Sequence, residues 1–175
     1  MSPSSGQTQG HRMIDDIAGL RRVLTENRSI AVVGLSSNWN RPSHFAAKYM
    51  LEHGYRVIPV NPRYGEVLGQ KCYARLEDVP GKVDIVDCFR RAEDIPAIVE
   101  AAAVIGARVL WMQLGVVNAE AARRAEALGL EVVMDRCVKI EHARLFGGLN
   151  WAGVDTGVIS SARPPCPAFP PRARP

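Results

Sequence analysis

The sequence predicts an α/β domain in which a mainly parallel, five-stranded sheet carries helices on both faces. Short apolar runs rich in β-branched residues alternate with helical periodicities along the chain, which is the pattern of parallel strands joined by crossover helices. The segment from Ser29 to Arg63 has the order strand, glycine-bearing turn, helix, strand. Such a βαβ unit forms half of a doubly wound, Rossmann-like sheet.

The βαβ unit begins with the apolar run 29–33, which predicts a strand buried on both faces. Gly34 follows directly, where the chain must turn. Pro42 is suited to the first turn of the next helix, because the N–H that it lacks would have no partner there. Residues 55–60 predict the second strand, which ends at Asn61-Pro62.

The remaining elements continue the alternation on both sides of this unit. An apolar stripe over Met13–Asn27 predicts an amphipathic helix before the first strand. The later part of the chain predicts a short strand near 71–73, a helical turn at 76–80, strands at 83–88, 108–112 and 130–134, and helices at 93–105, 119–128 and 138–145. We expect the first two strands to be central, so that their carboxyl ends border a ligand crevice.

The two ends of the chain differ in composition from its middle. Residues 1–12 are rich in Ser, Gly and Gln and predict a flexible leader, whereas 13–146 predict the folded domain. Residues 147–175 are rich in proline and predict a disordered tail.

Charge and cysteine content exclude several functional classes. The net charge of +4 is modest, and the charges interleave along the middle of the chain, so no nucleic-acid footprint is indicated. No apolar run approaches the ~20 residues that span a membrane. The four cysteines are widely spaced without a C-x-x-C pair, and no signal-peptide pattern precedes them. We therefore expect reduced thiols in a cytoplasmic protein.

The turn after the first strand predicts a phosphate site. Ser36 and Ser37 follow Gly34, and Arg41 lies close to the predicted start of the helix. Free backbone N–H groups at a helix N-terminus, small hydroxyl side chains and a cation together bind phosphate oxygens. The alternative is a glycine needed only to turn the chain.

The same turn departs from the dinucleotide-binding fingerprint in two respects. The sequence GLSSNW lacks the second and third glycines that let the backbone approach a pyrophosphate. The second strand ends in Asn61-Pro62, where NAD-binding proteins place an acidic residue for the ribose. Both departures argue against NAD, though not against a nucleotide.

Five segments match a known family in order and spacing: VVGLSSNWNRPSHFAAKYML, GYRVIPVNPRYGEVLGQKCYARLEDVP, VDIVDCFRR, VLWMQLGVVNAEA and MDRCVKIEHARL. They resemble the small stand-alone coenzyme A (CoA) binding proteins of the Rossmann type. That family is related to the CoA-binding domains of succinyl-CoA synthetase α subunits and of ADP-forming acyl-CoA synthetases. The match runs from about Ser29 to Leu145.

The resemblance implies CoA or an acyl-CoA as the bound cofactor. It implies phosphate contacts at the first turn, adenosine contacts after the second strand, and further contacts where the third and fourth strands end. The implied residues are Gly34, Leu35, Ser36, Ser37, Arg41, Pro42, Ser43, Asn61, Pro62, Arg63, Phe89, Arg90, Gln113 and Gly115.

The chain is too short for the phosphohistidine and nucleotide-binding modules of the synthetases, so we expect a non-catalytic binding or regulatory module and assign no catalytic residue. Two alternatives stay open. One is an NAD(P)-dependent oxidoreductase in which Arg63 meets a 2′-phosphate. The other is a CoA-responsive scaffold or subunit of a larger acyl-CoA-handling complex, with the proline-rich tail contacting a partner. A homodimer is compatible with either.

Cys137, Glu141 and His142 form a pattern that suggests a metal or thiol–imidazole site. Cys137 and Glu141 are four residues apart and share a helix face, whereas His142 is rotated away from both. We therefore favour a packing role and predict no metal.

Overall fold

The computed structural model describes residues 13–147. The predicted leader and all but the first residue of the predicted tail lie outside this range. The helices are α1 Ile17–Glu26, α2 Pro42–Glu52, α3 Ile95–Val104, α4 Ala119–Ala127 and α5 Val138–Phe146. The strands are β1 Ser29–Val33, β2 Arg56–Val60, β3 Glu66–Val67, β4 Gln70–Lys71, β5 Ile85–Cys88, β6 Val109–Met112 and β7 Glu131–Val133. Short 3₁₀ turns cover Leu76–Asp78 and Ala92–Asp94.

The main sheet has the strand order β2-β1-β5-β6-β7, and all of its neighbouring strands are parallel. The predicted α/β, Rossmann-like fold class is confirmed. The chain moves outward from β1 to β2 and then returns past β1 to β5, so the strand order reverses between β1 and β5. In doubly wound sheets the ligand crevice opens at this point of reversal.

Two predicted details are wrong and a third is incomplete. β2 is not central but lies at one side of the sheet, where a single parallel bridge joins Val60 to Tyr73. The short strand predicted near 71–73 is present as β4, but it pairs in an antiparallel hairpin with a second strand, β3, that was not predicted. Helix α1 does not begin at Met13, because Met13 forms a parallel bridge with Val132 at the other side of the sheet. Asp16 then caps α1 by accepting the Gly19 N–H at 2.7 Å.

The core has two layers, one on each face of the sheet. Helices α1, α2 and α5 cover the face that contains Trp111, whereas α3 and α4 cover the face that contains Leu110. These adjacent residues of β6 are both fully buried, as expected for a strand whose side chains alternate between two covered faces. In the described part of the chain, no helix combines the length and apolar character needed to cross a membrane.

Gly34 lies where the turn after β1 packs against the end of β5. Its backbone is left-handed, with a φ of +88°, and its N–H donates to the Val60 carbonyl at 2.9 Å. A Cβ atom at this position would overlap the backbone carbonyl oxygen of Phe89. The position therefore requires glycine both for its conformation and for the close approach of a second backbone.

A buried aspartate ties the beginnings of β1 and β5 together. Asp84 accepts hydrogen bonds from the backbone N–H groups of Arg28 and Ser29 and from the Ser29 hydroxyl, at 2.9–3.1 Å. The Lys82 ammonium lies 2.9 Å from its other carboxylate oxygen. Burial acts to raise the pKa of Asp84, but these donors outweigh it and hold the pKa well below its usual range.

A second buried aspartate lies within β5 and has the opposite electrostatic environment. Asp87 is 1% exposed, and its Oδ1 accepts a hydrogen bond from Gln113 Nε2 at 2.6 Å. Burial raises the pKa of Asp87 to about 7, although the Gln113 hydrogen bond acts to lower it. The neutral acid is therefore the favoured form of Asp87 below neutral pH.

We expect Gly34→Ala to lower the free energy of unfolding by more than about 3 kcal/mol, because left-handed strain adds to an overlap that forces the backbone to shift. Gly54→Ala is the matched control: Gly54 has a φ of +83°, and nothing lies within 4 Å of a Cβ built on it. It should lose only about 1–2 kcal/mol. Chemical denaturation measures the free energy of unfolding of both variants. Equal losses would show that the overlap with the Phe89 carbonyl adds nothing to the destabilisation.

Asp87→Asn should gain stability relative to the wild type as the pH rises. Because the pKa of Asp87 is raised in the folded protein, the folded state binds this proton more tightly than the unfolded state between about pH 4 and pH 7. Over that interval the wild type loses about 1.4 kcal/mol of unfolding free energy per pH unit from this group. Asparagine at position 87 does not titrate.

Chemical denaturation at several pH values between about pH 5 and about pH 8 measures this difference. Asp84→Asn is the control: its curve should run below that of the wild type and parallel to it, because the lowered pKa of Asp84 leaves this carboxylate ionised throughout the interval. A curve for Asp87→Asn that is also parallel to the wild type would contradict the prediction.

Candidate functional site

A crevice of about 980 Å³ opens at the carboxyl ends of the parallel strands, at the reversal of strand order. This volume falls at the upper end of the range of small-molecule sites. Most of the residues predicted as contacts line the crevice, namely Gly34, Ser36, Arg41, Pro42, Ser43, Asn61, Pro62, Arg63, Phe89, Arg90 and Gln113. The topology therefore brings together residues from four separate strand ends.

Three of the predicted contact residues do not line the crevice. The Leu35 side chain is fully buried in the core beneath α2. Ser37 lies on the exposed outer side of the turn, close to the Tyr64 hydroxyl. The Gly115 N–H donates to the Asp135 carboxylate at 2.7 Å, which joins the loop after β6 to the loop after β7. The residue pattern alone did not define which way each of these positions faces.

Hydrogen bonds within the first turn determine its shape. The Ser36 N–H donates to the Ser43 hydroxyl at 3.2 Å, and the Asn38 N–H donates to the Ser36 hydroxyl at 3.1 Å. The His44 ring nitrogen Nδ1 lies 3.0 Å from the Ser36 carbonyl oxygen. The Ser43 hydroxyl therefore holds the turn against the start of α2, and the Ser36 hydroxyl stabilises a bend within the turn.

The N-terminus of α2 is open to an external acceptor. Arg41 occupies the N-cap position without a side-chain cap, and Pro42 has no N–H to donate. Among residues 13–147, the Ser43 N–H has no hydrogen-bond partner. An anion at this end of the helix would be favoured by the free donor and by the helix dipole.

Three arginine side chains line the crevice. Arg41, Arg63 and Arg90 are exposed, and none of them forms an ion pair within the described residues. Arg90 lies beside Gly34, because a Cβ built on Gly34 would be 3.1 Å from Arg90 Nε. Three unpaired guanidinium groups in one crevice create an excess of positive charge that suits a polyanionic ligand.

Asn61 connects the turn after β2 to the turn after β1. Its side-chain Nδ2 donates to the Leu35 carbonyl at 2.9 Å, and its Oδ1 accepts the Arg63 N–H at 3.0 Å. Its own N–H donates to the Tyr73 carbonyl at 2.8 Å. Because both ends of the amide are engaged and the residue is 7% exposed, the Asn61 side chain acts chiefly to hold the crevice wall in position.

Tyr64 lines the crevice and was not among the predicted contacts. The neighbouring side chains of Ser37 and Ser36 lower the pKa of its phenol. It directly follows the Asn-Pro-Arg segment, and this adjacency was the sequence signal that could have identified it.

The part of the crevice that is lined by residues following β6 and β7 is uncharged. Gln113 is 4% exposed and is held by its hydrogen bond to Asp87. Leu114, Val116 and Ile140 add alkyl surface. Leu114 and Val116 lie in the loop after β6, whereas Ile140 lies in α5, and no spacing rule links these two segments.

Cys137 also lines this uncharged part, at the N-cap of α5. Burial raises the pKa of the Cys137 thiol, although the backbone N–H groups of Ile140 and Lys139 act to lower it. The thiol therefore stays protonated at neutral pH and is a weak nucleophile.

The residues that suggested a metal or thiol–imidazole site with Cys137 have other partners. Glu141 lies 3.6 Å from Arg136 and also pairs with Arg144. His142 Nδ1 lies 3.1 Å from the Tyr49 hydroxyl. Within 13–147, no group of three or more His, Cys, Asp or Glu side chains converges as a metal site would require.

A smaller cavity of about 220 Å³ adjoins the crevice. Its walls are mainly apolar side chains from β1, β2, the 3₁₀ turn at Leu76–Asp78 and α3. Pro62 and Arg90 line both cavities, so the two spaces meet at these residues.

Comparison with known proteins identifies the family of this chain. The family model described as "CoA binding domain" matches residues 28–143. The chain is 42% identical over 126 residues to "Uncharacterized protein YneT" of Bacillus subtilis, covering 72% of this chain and 93% of that protein. It is 39% identical over 59 residues to the α subunit of an ADP-forming acetate–CoA ligase II of Pyrococcus furiosus, of which the match covers only 13%.

A solved structure has the same fold and a similar sequence. The hypothetical protein from Pyrococcus horikoshii superposes with a TM-score of 0.74 at 43% identity, covering 78% of this chain and 97% of that one. The resemblance found in the sequence is thereby confirmed. The chain belongs to the CoA-binding domain family of Rossmann-like α/β proteins.

Proposed function

We propose that the protein binds CoA or an acyl-CoA in the crevice at the end of β1, as a non-catalytic binding or regulatory module. The observation that carries this proposal is that three unpaired arginines, Arg41, Arg63 and Arg90, line the same crevice as the open N-terminus of α2. CoA has a pyrophosphate and a 3′-phosphate and is therefore a polyanion. Charge-assisted hydrogen bonds from guanidinium groups to phosphate are strong and directional.

The strand order gives the bound CoA a direction. With its pyrophosphate at the Ser36–Ser43 turn, the adenosine would lie toward β2, beside Pro62 and the smaller apolar cavity. The pantetheine arm would then extend over β5 and β6 toward Gln113. Because neighbouring strands are about 4.8 Å apart, the crevice follows the sheet edge for about 19 Å from β2 to β7, which suits an extended ligand.

The chemistry of the crevice favours binding over catalysis. The Cys137 thiol is protonated at neutral pH. The Asp94 carboxylate, which also lines the crevice, lies 3.9 Å from Arg91. The three unpaired arginines remain cationic and donate hydrogen bonds. In the described residues, these groups can neutralise and orient a phosphate, but none is arranged as an activated nucleophile with a neighbouring base.

Calorimetric titration with CoA, acetyl-CoA, NAD and NADP in parallel tests the choice of ligand. We expect CoA and acetyl-CoA to bind and the two dinucleotides to give no heat of binding, because the turn lacks the glycines that a dinucleotide pyrophosphate requires. Binding of NADP without binding of CoA would overturn the proposal and favour the oxidoreductase alternative.

Substitution of the arginines tests the position of the phosphates. Arg41→Ala and Arg90→Ala should each weaken CoA binding by about 1–3 kcal/mol, the value expected for loss of a charge-assisted hydrogen bond. Arg123→Ala is the matched control, because Arg123 is an exposed arginine on α4 and lies outside the crevice. A dissociation constant that is unchanged in Arg41→Ala would remove Arg41 from the site.

A further inference from the structure

We propose that the natural ligand is a CoA thioester with an uncharged, apolar acyl chain, which binds against Leu114, Val116 and Ile140 at the β6–β7 end of the crevice. This inference rests on the proposed CoA site and specifies the class of acyl group that it takes. It depends on which side chains lie at this end of the crevice and on the charges that face it.

Alkyl side chains are unusually exposed at this end of the crevice. Leu114 is 48% exposed and Ile140 is 53% exposed, and both line the open crevice together with Val116. Leu114 and Val116 follow β6, whereas Ile140 lies in the first turn of α5. Burial of such surface by an apolar ligand is favourable by about 25 cal/mol per Å².

The strand order places the unpaired arginines away from this end of the crevice. The unpaired arginines of the crevice follow β1, β2 and β5, whereas the side chains lining it from β6 onward are Gln113, Leu114, Val116, Cys137 and Ile140. All five are uncharged at neutral pH, since the pKa of the Cys137 thiol is raised. A carboxylated acyl group would therefore lose water here without gaining a cationic partner.

The cations nearest in sequence are engaged elsewhere. The Lys139 ammonium lies 5.9 Å from the centre of the Phe45 ring and 5.8 Å from that of Tyr49. Arg136 lies 3.6 Å from the Glu141 carboxylate, and Arg91 lies 3.9 Å from that of Asp94. These contacts leave the apolar end without a cation directed at the acyl group.

Gln113 directs the ligand arm toward this end. Because its Nε2 donates to Asp87, the carbonyl oxygen of the same amide is turned away from Asp87 and is available as an acceptor. The pantetheine arm contains two secondary amides, each with an N–H. An amide N–H bound at Gln113 would place the thioester beyond it, where Leu114 and Ile140 flank the crevice.

Dissociation constants for CoA, hexanoyl-CoA and succinyl-CoA test the inference. For the wild type, hexanoyl-CoA should bind about tenfold more tightly than CoA, because the apolar chain is partly removed from water. Succinyl-CoA should bind no more tightly than CoA. In Leu114→Ser and in Ile140→Ser the ratio of the CoA constant to the hexanoyl-CoA constant should fall toward one.

Val104→Ser is the matched control, because Val104 is 77% exposed on α3 and does not line the crevice. Its ratio should equal that of the wild type. Tight binding of CoA with no preference for hexanoyl-CoA, or an equal gain for succinyl-CoA, would overturn this inference and leave the proposed function intact. If the wild type binds none of the three compounds, the proposed function fails as well.

Discussion

The contact between Gly34 and the Phe89 carbonyl is the constraint on which the rest of the site depends. It brings the turn after β1 directly onto the end of β5, at the point where the strand order reverses. Asn61 adds the turn after β2 through its hydrogen bond to the Leu35 carbonyl. Three separate turns are thus joined into one wall by a close backbone approach and by a side-chain hydrogen bond. Arg63 and Arg90 follow two of these turns, so the fold brings both side chains to the same crevice.

The two buried aspartates of this region of the sheet have different roles: one holds neighbouring strands together, and the other fixes a side chain that lines the crevice. Asp84, before β5, is surrounded by donors that stabilise its charge and hold β1 and β5 in register. Asp87, three residues later, is held by Gln113 in an environment that favours its neutral form. Burial of Asp87 therefore costs stability above neutral pH while it fixes an amide that lines the crevice. Local departures from optimal stability are typical of binding sites.

Much of the architecture was predictable from the sequence. The strand 29–33 and the helix beginning at Pro42 occur where the apolar runs and the proline place them, because both signals are local. The convergence of the strand ends at one crevice followed from the general rule for parallel sheets, whereas the individual contact residues were implied by the family resemblance. The inward orientation of Leu35 and the pairing of Met13 with Val132 did not follow, because each depends on contacts with segments distant in sequence. The apolar end formed by Leu114 and Ile140 was missed for the same reason.

The most direct test of the account is to map the ligand on the folded protein by NMR, following backbone amide shifts during titration with CoA. In the proposed binding mode the phosphates would lie at the start of α2 and the pantetheine arm would cross β6, so we expect the largest shifts at Gly34, Ser36 and Ser43, with further shifts at Gln113. Shifts concentrated on the outer surface of α3 and α4, with the Gly34–Ser43 amides unchanged, would contradict it.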